Sequence, residues 1–303
     1  MNRYEIQHKI LTLAHCAVLQ DREKPATFVS EGIEFSHWDF NFRDGWKADA
    51  WIASAEMSAE NFIDALNTFR ATLSKLIPRI SLISQSFIEF TREPFVVHKV
   101  SSDVAFFHYN EDVRGGGLMF MEKEQRALSE LLNHPEVPEE FYYYWNDAVN
   151  ASGYSAKLLL MFSAVEALAR KGGEKNIAPV TEIFGEELTK ELFERDAGLR
   201  HQLVHGKYFG QEHNGKNYLE LIHNKVIEYF NTKVLSRALI QTGIVNPQRH
   251  FFGNKQGGHY IVKRKDGAQI FPLKDMLEDF NENGFQTPIR YEHVFDSSIA
   301  KSY

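Results

Sequence analysis

Arg200 and His205 stand in the segment Leu199-Arg200-His201-Gln202-Leu203-Val204-His205-Gly206. Together they hold the two abilities that phosphodiester cleavage needs. Arginine stays cationic and offers a donor fork matched to phosphate oxygens. Histidine titrates near neutrality and can both take and give a proton. With such a pair, a ribose 2′-hydroxyl can attack its own phosphate while His moves the protons and Arg stabilises the charge that develops. That chemistry calls for no metal and no cofactor.

The spacing alone says little. With 15 Arg and 13 His in 303 residues, roughly 0.6 Arg-x4-His matches arise by chance. Arg3 with His8 is another match, and Arg92–His98 and Arg195–His201 fit a form one residue longer. The surroundings separate them. The Arg200 match falls on a predicted helix over Ala197–His205, closed by Gly206 as its C-terminal stop. It also follows a strongly apolar helix that carries Glu166. Leu199 and Leu203, at i and i+4, face the core. Arg200 and His205 stand about 140° apart around such a helix; either the long Arg side chain bridges that angle, or, as we expect, the pair lines one edge of a cleft shared with another surface.

Other readings of the same residues stand beside this one. A histidine at a helix end can simply cap the last carbonyls, and Arg200 can pair with Glu166 as a structural bridge. His201 and His205 have the i, i+4 spacing of zinc-binding helices, with His213 the nearest third ligand. The zincin pattern needs a Glu after the first His, however, and Gln202 stands there. Arg249-His250-Phe251-Phe252 with Lys255, and Lys263-Arg264-Lys265, mix charge and aromatics as RNA-holding surfaces do; a solvated loop and hairpin account for them more simply. Phe141-Tyr142-Tyr143-Tyr144-Trp145 is either a stacking platform or helix packing. Arg114-Gly115-Gly116-Gly117 is a turn and lacks the Lys-Ser/Thr of a phosphate loop.

The elements that position these groups fall into three regions. Residues 1–121 mix strands with one long helix. Thr27–Val29, Gly32–Phe35, Ala48–Ser58, Val96–Val100 and Val104–Tyr109 read as strands, and Leu118–Met121 as a short one. Phe62, Leu66, Phe69 and Leu73 follow a helix start at Ser58–Asn61, and Pro78 predicts a kink or break. Residues 122–242 are helical: Glu122–Leu132, a helix opening at Pro138, Tyr154–Arg170 closed by Gly172-Gly173, Thr181–Phe193, Ala197–His205, and a long pattern from Tyr218 to Gln241. Residues 243–303 read as a small β appendage, with a hairpin of His259–Lys263 and Ala268–Phe271 around an Asp266-Gly267 turn. A short helix over Leu273–Phe280, a last strand over Arg290–Phe295 and a frayed tail complete it.

Bulk properties narrow the class. Hydrophobic residues make up 43% of the chain, enough for a real core, and the net charge of −7 argues against a generic nucleic-acid coat. The lone Cys16 excludes an internal disulfide framework and thiolate zinc sites. The opening residues hold no apolar signal core, and the longest apolar run, Leu158–Phe162, is too short to span a bilayer. A cytoplasmic protein with no membrane contact is expected.

The Arg200–Gly206 string resembles the Arg-x4–6-His motif of the HEPN superfamily. Its form is similar to the ApeA-like branch, where a basic-polar-x-Leu/Ile-Val-His-Gly string ends a helix. Phe162-Ser163-Ala164-Val165-Glu166-Ala167-Leu168 resembles that branch's upstream helix, an apolar stripe with one acidic residue. The resemblance covers about residues 122–242. It implies an all-α HEPN-like bundle for 122–242; with the strands and helix read over 1–121, as an N-terminal α+β accessory or sensor domain, and the C-terminal β extension over 243–303, the expected fold class is α+β. It further implies a metal-independent endoribonuclease acting on RNA as a homodimer, with Arg200 on the scissile phosphate and His205 as general acid or base. Glu166 would orient Arg200 or tune His205, and His201 fills a variable polar position. A toxin or antiviral defence effector is the implied setting, with a regulatory protein or ligand acting on the N-terminal domain. Tyr208 is set off from the tyrosine of the toxin branch by Gly206 and Lys207, so that role is not carried over. A HEPN module that has lost cleavage and serves binding or dimerisation is the alternative, and a metal-dependent hydrolase is the third reading.

Overall fold

The computed structural model describes residues 1–12, 27–41, 47–85, 88–90, 96–100, 104–110, 122–151, 153–171, 174–207, 217–235, 237–240, 257–264, 282 and 291–293. The chain is of mixed α+β class and divides into two compact units. Residues 1–74, 89–119 and 250–303 form the first, and 75–88 with 120–249 form the second. The expected C-terminal appendage is therefore not a separate body, because its strands join the sheet of the first unit.

That sheet is built from β1 (Asn2–Thr12), β2 (Thr27–Ser30), β3 (Ile33–Asn41), β4 (Lys47–Ala59), β5 (Ile88–Phe90), β6 (Val96–Lys99), β7 (Val104–Asn110), β10 (Gly257–Arg264) and β11 (Tyr291–His293). Its order is β11-β10-β7-β6-β1-β4-β3-β2, with β5 also beside β1. The period-2 pattern explains the register. Tyr4 and Ile6 are buried while Arg3 and Glu5 are not, and Ile33 and Phe35 are buried around an exposed Glu34. Phe28 and Phe35 sit opposite each other in the β2–β3 pair and stack with centroids 4.6 Å apart. Glu31 and Gly32, at φ 50° and 75°, make the tight turn between them. β10 pairs with β7 from Gly257↔Asn110 to Lys263↔Val104, so a residue gap of about 150 positions closes inside one sheet.

Helix α1 runs Phe62–Ser84, started by the Asn61 side chain, which accepts a hydrogen bond from Asp64 N at 3.0 Å. It passes through Pro78 instead of breaking there. Proline removes one helical N–H, but Leu76, Ile77, Ile80 and Ile83 around it are all buried. That apolar stripe outweighs the loss of one backbone bond.

The second unit is a set of helices: α2 (Glu122–Leu132), α3 (Glu139–Asn150), α4 (Tyr154–Leu168), α5 (Ala178–Phe193), α6 (Leu199–Val204) and α7 (Tyr218–Tyr229). Two-residue strands β8 (Arg170–Lys171) and β9 (Glu174–Lys175) pair after α4. Helix α4 is apolar almost all round and accordingly central, touching α3, α5, α6 and α7. Its Lys157 is buried, and its Nζ donates to the carbonyls of Ala148 (3.2 Å) and Val149 (3.0 Å), closing the C-terminal end of α3. Gly185, at φ 75° and ψ 167°, breaks α5 in two. Phe230 stacks on Phe141 with centroids 4.8 Å apart in the middle of the core.

The long helix expected to reach Gln241 ends sooner. After Tyr229 it widens into a π-helical turn, Phe230–Val234. Asn231 then binds the returning chain, donating to Ile240 O at 2.7 Å and accepting from Ile240 N at 2.8 Å. A side chain that replaces two backbone partners ends the helix, which periodicity does not register. Arg114–Met121, Gly172-Gly173, Arg249–Lys255, Lys265–Phe280, Tyr208, His213 and the tail lie outside the described residues. Among the described residues, no helix is long and apolar enough to cross a membrane.

Candidate functional site

Helix α6 is only six residues long, and glycines hold both of its ends. At the start, Gly198 donates its N–H to Glu194 O at 2.9 Å. A Cβ on Gly198 would lie 2.6 Å from Glu194 N and 2.8 Å from its carbonyl oxygen, so only glycine admits that approach. At the end, Gly206 has φ 66°. Gly206 N donates to Leu203 O (3.2 Å) and Lys207 N to Gln202 O (2.8 Å). This pair of bonds is a Schellman closure, which a residue in the left-handed region permits. Leu199 and Leu203 are buried and anchor the helix, as their i, i+4 spacing predicts.

Arg200 points from this helix to α4. Its Nη2 lies 2.8 Å from Glu166 Oε2, with the side chains 41% and 17% exposed. The carboxylate is therefore largely enclosed while the guanidinium reaches solvent. Both line a cleft of about 500 Å³. Ser163, Glu166 and Arg170 come from successive turns on one side of α4 and just beyond it, at i, i+3 and i+7. Glu140 and Tyr144, at i and i+4, face it from α3. Ser163 Oγ donates to Leu159 O at 3.1 Å, which leaves its lone pairs free to accept.

His205 lies outside the lining of this cleft, exposed at the C-cap of α6. Its ring sits against that of His201, with centroids 4.2 Å apart and planes inclined by 47°. His201 Nδ1 is 3.9 Å from Asp196 Oδ1. Arg200 thus meets Glu166, as one of the sequence readings has it, while His201 and His205 meet as tilted rings and His205 does not border the cleft that Arg200 lines. Among the described residues, no group of three or more His, Cys, Asp or Glu is arranged to hold a metal ion.

The rival Arg-His matches have other surroundings. Arg3 is exposed on β1 and engaged by Glu56, and Arg195 is 95% exposed. In the aromatic run, Phe141, Tyr142 and Trp145 are core, and Tyr143 and Tyr144 remain exposed. Glu140, Arg170 and Gly198 were not singled out from sequence, and Tyr144 appeared only as one member of the Phe141–Trp145 run. The i, i+4 spacing of Glu140 and Tyr144 was readable, but which face of α3 they occupy depends on Phe141 and Trp145 being buried. The chain matches no protein-family model, no curated protein and no solved structure.

Proposed function

We propose that the helical unit is a metal-independent endoribonuclease of the HEPN type, with Arg200 and His205 as its reacting pair. The observation that carries this reading is the Arg200–Glu166 pair: a guanidinium fixed by one enclosed carboxylate, yet open to a cleft. One ion pair leaves most of its five N–H donors for phosphate oxygens. His205 is exposed one helical turn and a residue further on, with a second imidazole beside it to share or relay the proton. Because His205 stands outside the lining of the cleft, the reading requires a second copy of the chain to bring a histidine to the phosphate. A homodimer is thus part of the proposal, and the setting of a cytoplasmic toxin or defence effector is taken from the resemblance of the Arg200–Gly206 string to HEPN motifs.

The competing reading is a binding or dimerisation module in which Arg200–Glu166 only joins α6 to α4. The position of His205 outside the cleft favours that reading. RNA cleavage in EDTA by the full chain, compared with His205→Ala, decides between them. Wild-type cleavage that disappears in the variant, with unchanged circular dichroism, is the expected result. Deoxyribose at the cut site should also stop it. Cleavage only when a divalent cation is present, or none at all from the dimer, would overturn the proposal.

A further inference from the structure

We infer that the cleft beside Arg200 selects a guanine base; this rests on the reading of the cleft as an RNA site and specifies which nucleotide it takes. The cleft holds about 500 Å³, within the range of small-ligand sites and sufficient for one nucleotide. Its two walls differ in chemistry. One carries the cations Arg170 and Arg200. Arg170 is exposed and has no ion pair among the described residues. These two guanidinium groups suit the phosphates that flank a nucleotide.

The other wall is α3, with Tyr144 41% exposed and Glu140 one turn before it. A solvent-facing tyrosine ring in a cleft is a surface on which any base can stack. Glu140 is exposed, and no described residue pairs with it. It is also the one lining carboxylate not already neutralised, because Glu166 is held by Arg200. A free carboxylate would oppose phosphate, so its place is at the base.

An ionised carboxylate only accepts hydrogen bonds. Guanine presents two adjacent donors, N1–H and N2–H, on its Watson–Crick edge, which match the two carboxylate oxygens. Uracil has one donor between two carbonyl acceptors. Adenine and cytosine each set an amino group beside a ring-nitrogen acceptor. Unstacked bases in single-stranded RNA are read on this edge while their faces lie on aromatic side chains. Tyr144 and Glu140 offer those two contacts from the same face of one helix.

The test is calorimetric titration of the full chain with GMP, IMP, AMP, CMP and UMP. GMP should bind at least about tenfold more tightly than UMP, with IMP, which lacks the N2 amino group, between them. Glu140→Gln should cut the GMP preference to below about threefold, because an amide replaces one acceptor by a donor. Tyr144→Ala should weaken all five nucleotides by about tenfold. Both residues are exposed, so unchanged thermal unfolding should accompany both variants. Equal binding of the nucleotides, no binding, or a preference that survives in Glu140→Gln would overturn the inference. The outcome is separate from that of the nuclease reading. Cleavage with no preference for guanine sinks the base assignment alone, and guanine binding without cleavage sinks the nuclease alone.

Discussion

Arg200 Nη2 and Glu166 Oε2 lie 2.8 Å apart and tie the six-residue helix α6 to the central α4. Because Arg200 is 41% exposed, the pair contributes about 1 kcal/mol or less to stability. Its larger effect is to fix where a flexible cation points. On the proposed nuclease reading, Arg200→Ala is therefore expected to lower RNA cleavage by about a hundredfold or more, with the urea midpoint almost unmoved. Glu166→Gln should lower it about tenfold, since the guanidinium remains but loses its anchor. The double variant should be no worse than Arg200→Ala, because a residue acting through another adds nothing once that other is gone. Additive losses would show that Glu166 acts on its own.

The position of His205 depends on two glycines. Alanine at Gly206 must adopt φ near 66°, at a cost of about 1 kcal/mol. Alanine at Gly198 meets the Glu194 backbone at 2.6 Å, and there the chain itself must shift. Gly198→Ala is expected to be the more damaging variant, destabilising by about 2–3 kcal/mol and displacing α6. Gly206→Ala should retain the fold and, on the proposed nuclease reading, lose cleavage in proportion to the misplacement of His205. Urea unfolding and cleavage rates on the two variants check both expectations; equal stability losses would contradict the contact at Gly198.

Helix α2, the opening of α3 at Pro138 and the stop at Gly206 were all legible in the sequence. Each depends on local chemistry: an apolar stripe, a proline, a glycine. The Arg200–Glu166 pair was legible as one of several readings, beside Glu166 tuning His205. The rest depends on long-range pairing. Nothing near Gly257–Arg264 announces that this strand lies beside Val104–Asn110, so the C-terminal segment reads as an appendage. Pro78 reads as a kink or a break because the buried residues that carry α1 past it come from tertiary packing. Tyr144 and Tyr142 are alike in sequence, and only the position of Trp145 and Phe141 in the core decides which of them faces the cleft.

Arg79 is a buried cation in the part of α1 that belongs to the helical unit. Its side chain is 3% exposed, whereas that of its partner Glu139 is 48% exposed. Arg79 Nη1 donates to Glu139 Oε2 at 3.0 Å and to Lys75 O at 2.9 Å, and the guanidinium lies 4.0 Å from the centre of the Tyr142 ring. Burial pushes the Tyr142 phenol above its usual range despite that cation. Removing Glu139 leaves the enclosed charge with carbonyls and a ring only. Glu139→Gln is expected to destabilise the unit by about 2 kcal/mol, while Arg79→Met, which removes the charge and keeps the bulk, should cost less. Denaturant midpoints of the two variants give the order, and the reverse order would mean that the ion pair is not what holds Arg79.

His223 gives the second unit a pH-dependent stability. It is 3% exposed, stacked on Trp145 with centroids 5.6 Å apart, and its buried Nε2 has no hydrogen-bond partner among the described residues. Burial lowers its pKa below the ordinary 6.5, and the nearby Asn224 side chain only partly opposes this. In the unfolded chain the imidazole takes up a proton near its ordinary value, whereas in the folded one it does so only at lower pH. Between the two values the unfolded state binds more protons, so stability rises with pH there. It is complete above about pH 6.5 and is lost as pH falls toward the depressed folded value, by at most about 1.4 kcal/mol per pH unit for one group. His223→Phe retains the stacking on Trp145 and removes the titration. Urea unfolding at pH 7.5 and pH 5.0 should show a smaller loss in the variant than in the wild type. Carboxylates contribute equally to both proteins, so the difference between the two losses isolates His223. Equal losses would mean that the folded protein already accommodates the imidazolium.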